Sequence, residues 1–526
     1  MNKLLGSAAL AAVLLASGAQ LALAAPNRGG ELVFGRYADS LFLDPVLNDA
    51  NVDIWILTNL YDTLLQPTPD GKSVGPGLAT AWKVSDDGKS VTLTLREGVQ
   101  FADGSPLTAE DVKWSLDRAR DPKNGIWNEL IGSIDSVDVS GSTVTLKLKH
   151  PDPSIVPALA TFNTAILPEK NFMAEPGATD ADKAKSFAEH PVGSGPFVLK
   201  SWQRGGTMEL VKNPHYWAKG EDGQPLPYLD GVRFEIIPDD ATRILKLQSG
   251  ELDAAEFIPY ARVAELKADS RLAMELFPST RVFYGNFNVR PQIGGKDNPL
   301  ASAKVRQALN YATDKNAIIA IATQNVGKPM DSYMSSATPL HYADGPAYPY
   351  DLAKAKQLLS EAGFGNGFEV EMIVLAGNAD ETATAAALQQ MWSAAGVKLT
   401  LQQLDNATRT DRYRKGDFQM RLGAWTDDIP DPSEITSYFV YNPNIQAQHS
   451  GWKSEEADKL FEQSQQETDP VQRAAQYKRI QEIYLAEAPM LFIYETPYPV
   501  ALQQKVKGFI QIPLGNNIFV GAHLEP

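Results

Sequence analysis

The order of apolar segments in the last third of this chain constrains its fold class more than any other sequence feature. Residues 368–375 and 397–404 have the apolar composition of strands, and a helical segment at 382–395 lies between them. Two strands joined through a helix form a parallel pair, because the helix returns the chain to the same end of the sheet. Strand-like and helix-like patterns also alternate earlier, at residues 91–95, 108–119 and 144–148. The sequence therefore predicts an α/β protein.

Two longer segments have helical spacing, and one aromatic segment has strand spacing. Val305, Leu309 and Ala312 recur as on one helix face, so residues 303–319 are predicted as a helix. Residues 455–488 are predicted as helical as well. Residues 283–289 carry aromatic side chains on both faces of a predicted strand.

The size of the chain implies more than one hydrophobic core. The sequence has 526 residues, of which 43% are hydrophobic. A single core seldom serves more than about 250–300 residues. We therefore expect two or three domains.

The first 24 residues have the three parts of a secretory signal peptide. Lys3 supplies the positive charge, residues 4–15 form a short apolar core, and Ala22-Leu23-Ala24 resembles a cleavage site. A buried N-terminal helix is the alternative interpretation. The signal-peptide interpretation predicts export, with a mature chain that begins at Ala25.

Composition excludes several classes of function. The formal net charge of −16 and the lack of a basic run argue against nucleic-acid binding. The absence of cysteine excludes disulfides, thiolate metal sites and a lipid-modified N-terminal cysteine. Together with the predicted export, this indicates a free periplasmic protein.

No familiar catalytic motif occurs. The six histidines are too far apart in the sequence for a local metal motif, and there is no Gly-x-Ser-x-Gly elbow or phosphate-binding loop. We therefore predict no catalytic residue, no metal and no cofactor.

One acidic cluster is a candidate binding site. Trp425, Asp427, Asp428 and Asp431 lie in a turn-rich stretch after a predicted strand at 418–424. Carboxylates beside an indole suit an ammonium group, through charge-assisted hydrogen bonds and cation–π contact. A hard cation such as calcium is one alternative. In the other, Asp427 and Asp431 only cap turns beside the prolines.

The chain resembles the large substrate-binding proteins of peptide-type ABC importers, the family of the dipeptide, oligopeptide and nickel binders. The resemblance covers nearly the whole mature chain, and it is specific because many short segments match in order. They are LATAW at 78–82, SDDG at 85–88, LREGVQFADG at 95–104, LTAEDV at 107–112, VGSGPF at 192–197, NPHYW at 213–217, GELD at 250–253 and VRQALNYA at 305–312.

This resemblance implies a bilobed periplasmic binding protein fold of the large type, with three lobes and a ligand cleft at the hinge. Domain I would combine residues 25–66, 191–282 and 497–526, and domain II, the inserted domain, residues 67–190. Domain III would be residues 283–496, and the strand at 283–289 and the segment 491–498 would be the hinge crossings.

The resemblance also implies site residues. In peptide-binding relatives a Trp-x-x-Asp segment supplies the carboxylate that holds the peptide's α-ammonium group, and Trp425 to Asp428 match it. Asp428 is thus the leading ligand residue, with Asp427 beside it. Trp425, Tyr284 and Phe287 are candidate walls of the cleft, although each is equally suited to a core.

One departure from the family pattern concerns the ligand's carboxylate. Dipeptide-specific relatives carry an arginine near the start of the domain III α/β unit, whereas residues 375–380 here contain none. This favours longer peptides or another cationic solute. Arg409, Arg412 or Arg414 could substitute, or could be solvated surface residues.

The predicted function is that of a periplasmic, monomeric substrate-binding component of an ABC importer. It would capture a small solute, a peptide above all, and deliver it to the permease subunits in the inner membrane without catalysing a reaction. A family member for an opine, a nickel chelate or a sugar is the alternative. A periplasmic hydrolase that uses the clustered aspartates is the most distant alternative, because adjacent aspartates tend to point apart.

Overall fold

The computed structural model describes residues 26–48, 50–342 and 347–526. The predicted signal peptide lies outside the described residues, so the structure bears on neither its conformation nor its cleavage. In the described part of the chain, no helix is both long enough and apolar enough to cross a membrane.

The largest sheet has seven strands and brings together distant parts of the sequence. Its first strand, Glu31–Arg36, pairs in parallel with Gly231–Ile236 and with Ala254–Ala255. A hydrophobic core around Leu32 and Phe34 lies against this sheet. In spatial order the strands are Leu272–Phe277, Tyr498–Gln503, Ala254–Ala255, Glu31–Arg36, Gly231–Ile236, Thr207–Lys212 and Phe197–Trp202.

A four-stranded antiparallel sheet has a core of its own, formed by residues such as Val91, Leu93 and Val144. Its strands, in order, are Ala79–Val84, Ser90–Leu95, Thr143–Leu148 and Ile134–Ser140. The helix Ala109–Ala119 packs on this sheet and begins with a capping box, in which Thr108 and Asp111 bond to each other's backbone N–H groups.

The third sheet has six strands and is covered on both faces. The parallel pair Phe368–Leu375 and Val397–Leu404 flanks the helix Ala379–Ala394, so the predicted β-α-β unit is present. The strand order is Lys328–Pro329, Met490–Glu495, Val282–Phe287, Met420–Trp425, Phe368–Leu375 and Val397–Leu404. This mixture of helices and sheets confirms the α/β class.

The two longest predicted helices are each interrupted, which corrects the sequence prediction. Residues 303–319 fall into Ala303–Tyr311 and Lys315–Ala322, because Asp314 caps the second helix at the Ala317 N–H. Residues 455–488 fall into Glu455–Ser464 and Pro470–Glu487. Here Asp469 accepts bonds from the first N–H groups and Pro470 begins the second helix, where a missing N–H has no cost.

The remaining elements are short. The other α-helices are Asn51–Leu60, Ile155–Ala158, Glu169–Ala174, Asp180–Phe187, Asp240–Ser249, Tyr260–Ala268, Leu352–Glu361, Asn406–Lys415, Ser433–Phe439 and Asn442–His449, and the 3₁₀ turns are Ile126–Ile131, Phe162–Thr164 and Pro299–Ala301. Two-stranded pairs join Leu65–Pro67 with Val74–Pro76, Gln292–Ile293 with Lys296–Asp297, Val506–Lys507 with His523–Leu524, and Ile510–Gln511 with Asn517–Ile518.

The chain passes between the seven-stranded and six-stranded sheets at two places. One crossing lies at residues 278–281, between the strands Leu272–Phe277 and Val282–Phe287. The other lies at residues 496–497, between Met490–Glu495 and Tyr498–Gln503. The first crossing therefore precedes the strand in which the sequence placed it. The domain boundaries given above stay predictions.

Candidate ligand-binding site

The predicted acidic stretch lies where the two crossings meet. It follows the strand Met420–Trp425 of the six-stranded sheet. The Asp427 N–H donates to Thr280 Oγ1 at 2.9 Å, and the Tyr498 hydroxyl lies 3.3 Å from Thr426 Oγ1. The stretch is thus tied to the first crossing and to the strand that follows the second.

Asp427 is completely buried and both of its carboxyl oxygens are bonded. Trp425 Nε1 donates to Oδ1 at 3.0 Å, and Thr338 Oγ1 donates to Oδ2 at 2.6 Å. Burial raises the pKa of Asp427 to about 7, although the two hydrogen bonds act in the opposite direction. This carboxyl positions the Trp425 ring and has little capacity left for a ligand.

Asp428 forms a close carboxyl pair with Glu434. The Asp428 and Ile429 N–H groups both donate to Glu434 Oε2, at 2.8 and 3.3 Å. Glu434 is only 3% exposed, and its other oxygen, Oε1, has no hydrogen-bond donor among the described residues. Burial raises the pKa of both carboxyls, and the charge of Asp428 raises the pKa of Glu434 further.

This acidic group has no cation of its own. Over the described ranges, neither Asp427, Asp428 nor Glu434 forms an ion pair with a lysine, arginine or histidine, whereas Asp431 pairs with Arg473. Buried carboxylates are normally paired, because an unpaired charge away from water is costly. An ammonium group brought in by a ligand would supply the missing charge.

Asp431 has a structural role instead. Its two oxygens accept bidentate hydrogen bonds from Arg473 at 2.7 and 2.8 Å, and Oδ1 also accepts from the Ser433 N–H. Both side chains are buried. The turn-capping alternative therefore describes Asp431 correctly.

The three aromatic candidates lie in different surroundings. Trp425 is half-buried and packs on Tyr438 and Phe439, with ring centroids 4.9 and 5.5 Å away. Tyr284 is 2% exposed and packs edge-on against Phe439. Phe287 is fully buried in the core of the six-stranded sheet. The core alternative fits Tyr284 and Phe287.

Most of the arginines that could replace the arginine of dipeptide-specific relatives are already engaged in ion pairs. Arg409 donates twice to Glu381, at 2.6 and 2.8 Å, and Arg412 pairs with Glu371 and Asp417. Arg414 forms no ion pair within the described segments. None of these contacts identifies a partner for a ligand carboxylate.

A cavity of about 710 Å³ opens beside Glu434. One side comes from the four-stranded sheet region, including Glu129 and Asp152, and the other from Glu434, Tyr438 and Glu462. The Tyr438 hydroxyl, on one side of the cavity, donates to Glu129 Oε1 on the other side at 2.9 Å. Neither Glu434 nor Glu129 could be predicted from a sequence motif, because each is a lone glutamate that tertiary packing brings to the site.

A metal centre finds no support in this geometry. In residues 26–48, 50–342 and 347–526, no three histidine, aspartate or glutamate side chains converge as metal ligands would.

The buried carboxyls predict a pH dependence of the unliganded fold. Asp427 has a raised pKa in the folded state, so the folded protein binds more protons than the unfolded chain between about pH 4 and 7. Its contribution to stability therefore falls as pH rises through this window. From pH 5 to pH 8 we expect the titration of Asp427 to lower the free energy of unfolding by about 2–3 kcal/mol.

Thermal unfolding of the wild type and of Asp427→Asn, measured from pH 5 to pH 8, tests this expectation. The asparagine variant should show the flatter profile, because its amide does not titrate. Parallel profiles for the two proteins would contradict the assignment.

Comparisons with known proteins agree with this architecture. Residues 73–447 match the family model of the bacterial extracellular solute-binding proteins, family 5. A probable D,D-dipeptide-binding periplasmic protein of Escherichia coli (strain K12) is 31% identical over 93% of this chain and 93% of its own length. Heme-binding protein A of Haemophilus influenzae is 29% identical over 89% of this chain and 87% of its own length.

A solved structure shows the same fold. The ABC transporter-associated periplasmic binding protein of Helicobacter pylori in complex with the peptide STSA superposes with a TM-score of 0.79 at 25% identity, over 95% of this chain and 99% of that one. The prediction of a bilobed periplasmic binding protein fold is confirmed. This chain belongs to family 5 of the bacterial extracellular solute-binding proteins.

Proposed function

We propose that this protein, as the solute-binding component of an ABC importer, captures peptides by their free amino terminus. The observation that carries the proposal is the pair of half-buried Asp428 and buried Glu434, which lacks a cation within the described chain. An α-ammonium group supplies one positive charge and three N–H donors, which suits the two Oδ atoms of Asp428. The names of the dipeptide-binding and STSA-binding relatives support a peptide ligand.

Binding would couple to proton release. In the unliganded site burial raises the pKa of Asp428 and of Glu434, so the pair retains protons. An arriving ammonium group stabilises the ionised forms and expels those protons. Peptide affinity should therefore increase from pH 5.5 to pH 8, as long as the peptide's own amino group stays protonated.

Closure of the lobes would complete the site. The chain crosses between the large sheets at residues 278–281 and 496–497, so a few backbone angles there allow the lobes to rotate. The bond from Tyr438 to Glu129 joins the two sides of the cavity in the conformation described here. A ligand that contacts both sides would favour the closed form, which the permease would recognise.

Arg281 is our candidate partner for the peptide's carboxylate. It lies in the first crossing, above the Phe257 ring at 5.9 Å, and forms no ion pair with any described residue. Burial raises the pKa of the Tyr498 hydroxyl; the nearby charge of Asp428 also raises it, whereas that of Arg281 lowers it. Both groups therefore lie near Tyr498, with opposite charges, as a zwitterion requires.

Replacing Arg281 by methionine tests this assignment. We expect tenfold weaker binding of a short peptide with a free C-terminus, because a charge-assisted hydrogen bond is lost. The same peptide with an amidated C-terminus should bind wild type and variant equally. Equal losses for both peptides, measured by calorimetry, would contradict a carboxylate contact.

The proposed location is the periplasm, and the Escherichia coli relative described above is by its name a periplasmic protein. We propose that a signal peptide is cleaved after Ala24 and that the mature protein acts as a monomer on inner-membrane permease subunits. We propose no catalytic role.

A ligand panel tests the proposed function. The mature protein, stripped of cargo by unfolding and refolding, is melted with di- to pentapeptides, N-acetylated peptides, opines, nickel complexes and oligosaccharides. A peptide at a hundredfold excess over its dissociation constant should stabilise the fold by about 2.7 kcal/mol, and N-acetylation should abolish this effect. Stabilisation by a non-peptide solute alone would refute the peptide assignment.

A further inference from the structure

We propose that the cavity beside Glu434 is a subsite for a basic side chain, so that the protein prefers peptides whose first residue is lysine or arginine. The inference rests on the proposed function, since it assumes that Asp428 holds the peptide's amino terminus. It adds the substrate class, which neither the family nor the names of the relatives supply.

Four carboxylates line this cavity: those of Glu129, Asp152, Glu434 and Glu462. None of them forms an ion pair with a lysine, arginine or histidine in the part of the chain that the structure describes. Arg473 gives two hydrogen bonds to Asp431 and reaches Asp152 only electrostatically. The cavity therefore carries a surplus of negative charge.

Glu434 provides a second, independent indication of a cationic occupant. It lines the cavity, it is 3% exposed, and its Oε1 has no donor among the described residues. A buried acceptor of this kind costs free energy unless a donor arrives from outside. A guanidinium or ammonium group in the cavity would be such a donor.

The other acidic groups are held in place by neutral donors. The Tyr438 hydroxyl donates to Glu129 at 2.9 Å, and the Tyr441 hydroxyl donates to Glu462 at 3.0 Å. The Ser133 hydroxyl donates to Asp152 Oδ2 at 2.6 Å. A hydroxyl donor orients a carboxylate but brings no positive charge to it.

Aromatic rings form the apolar part of the wall. Tyr438, Tyr441 and Phe461 line the cavity, and the rings of Tyr441 and Phe461 pack with centroids 4.9 Å apart. Long basic side chains need an apolar surface for their methylene stem and an acidic one for their head. A bare metal ion is a poorer fit, because the described carboxylates do not converge on one point.

The cavity begins next to the proposed amino-terminal clamp. Glu434 Oε2 accepts from the N–H groups of Asp428 and Ile429, and Ile429 also lines the cavity. A peptide whose ammonium group lies on Asp428 would thus have its first side chain nearest to Glu434. We therefore expect the basic side chain to belong to the first residue of the peptide.

The test compares two peptides by calorimetry on the stripped mature protein. Lys-Ala-Ala and norleucine-Ala-Ala have similar stems and differ in the terminal ammonium group. We expect the lysine peptide to bind about tenfold more tightly, with an advantage that shrinks as salt is added. Ala-Ala-Lys should show a smaller advantage over Ala-Ala-norleucine.

A double variant, Glu129→Gln with Glu462→Gln, separates the subsite from the clamp. It should bind the lysine peptide no better than the norleucine peptide, so that the ratio of the two affinities falls to about one whatever the absolute affinities are. Glu455→Gln, an exposed position on the same helix as Glu462, is the matched control and should keep the preference.

The outcomes distinguish a failure of the basic subsite from a failure of the proposed peptide-binding function. If wild type binds lysine and norleucine peptides equally, the basic subsite is refuted and the proposed peptide function stands. If the double variant keeps the full lysine preference, the cavity is not its source and the inference fails. If no peptide binds at all, the proposed function fails and the inference fails with it.

Discussion

Replacing Asp428 by asparagine is expected to weaken peptide binding a hundredfold or more. The change keeps the size of the side chain but removes the charge that faces the ligand's ammonium group. Truncating one partner of a buried, hydrogen-bonded charge pair costs about 2–5 kcal/mol, largely because the other charge is left unpaired. Calorimetry at pH 7.5 on the stripped mature protein measures the loss.

Two controls make this result specific to the amino terminus. Asp411→Asn removes an exposed carboxylate that pairs with Lys415 on the surface helix Asn406–Lys415, and it should bind as the wild type does. An N-acetylated peptide should bind wild type and Asp428→Asn equally weakly. A variant that still discriminates free from acetylated peptide would show that another group holds the ammonium.

Replacing Arg473 by methionine is expected to destabilise the fold by about 3–5 kcal/mol, because it leaves Asp431 buried and uncompensated. Arg473 donates two hydrogen bonds to Asp431, at 2.7 and 2.8 Å, and this pair ties the turn that carries Asp428 to the helix Pro470–Glu487. Urea unfolding of the unliganded protein measures the change. Peptide affinity should fall as well, since the turn loses its anchor.

The same helix offers a matched control. Arg479 pairs with Glu456 at 2.8 Å, but both side chains are at least half exposed. Arg479→Met should leave the unfolding transition unchanged, as exposed pairs contribute little. Replacing Asp431 and Arg473 together by leucine and methionine should recover part of the stability, because no buried charge then lacks a partner. Equal effects of the Arg473 and Arg479 changes would contradict this account.

Sequence patterns predicted a helix or strand well where the residues that determine it lie close together in the chain. The β-α-β unit follows from apolar strands around a helix, and the capping box at Thr108 and Asp111 follows from residues three apart. The same reasoning failed at Asp314 and Asp469, where apolar spacing continues through a helix break. Both aspartates could have been found, because each is a good N-cap residue followed by a helical pattern.

The candidate site likewise has residues that a short motif predicts and residues whose role depends on tertiary packing. A short motif pointed to Trp425 and Asp428, because the aromatic and the carboxylate stand close together in the chain. Tyr284 and Phe287 were ambiguous, since an alternating strand does not reveal which of its faces a second layer will cover. The structure places both in cores on opposite faces of one sheet.

The sequence by itself determined the α/β class, the family and the acidic turn, since these depend on residue types at short spacing and on the order of motifs. Only the tertiary structure decided which carboxylates are free. Asp431 is neutralised by Arg473, 42 positions away, while Glu434 meets Asp428 without a cation. It also placed Glu129 opposite Tyr438, 309 positions along the chain. Ion pairing and desolvation depend on distances in space. Those distances determine which carboxylate has a structural role and which can bind a ligand.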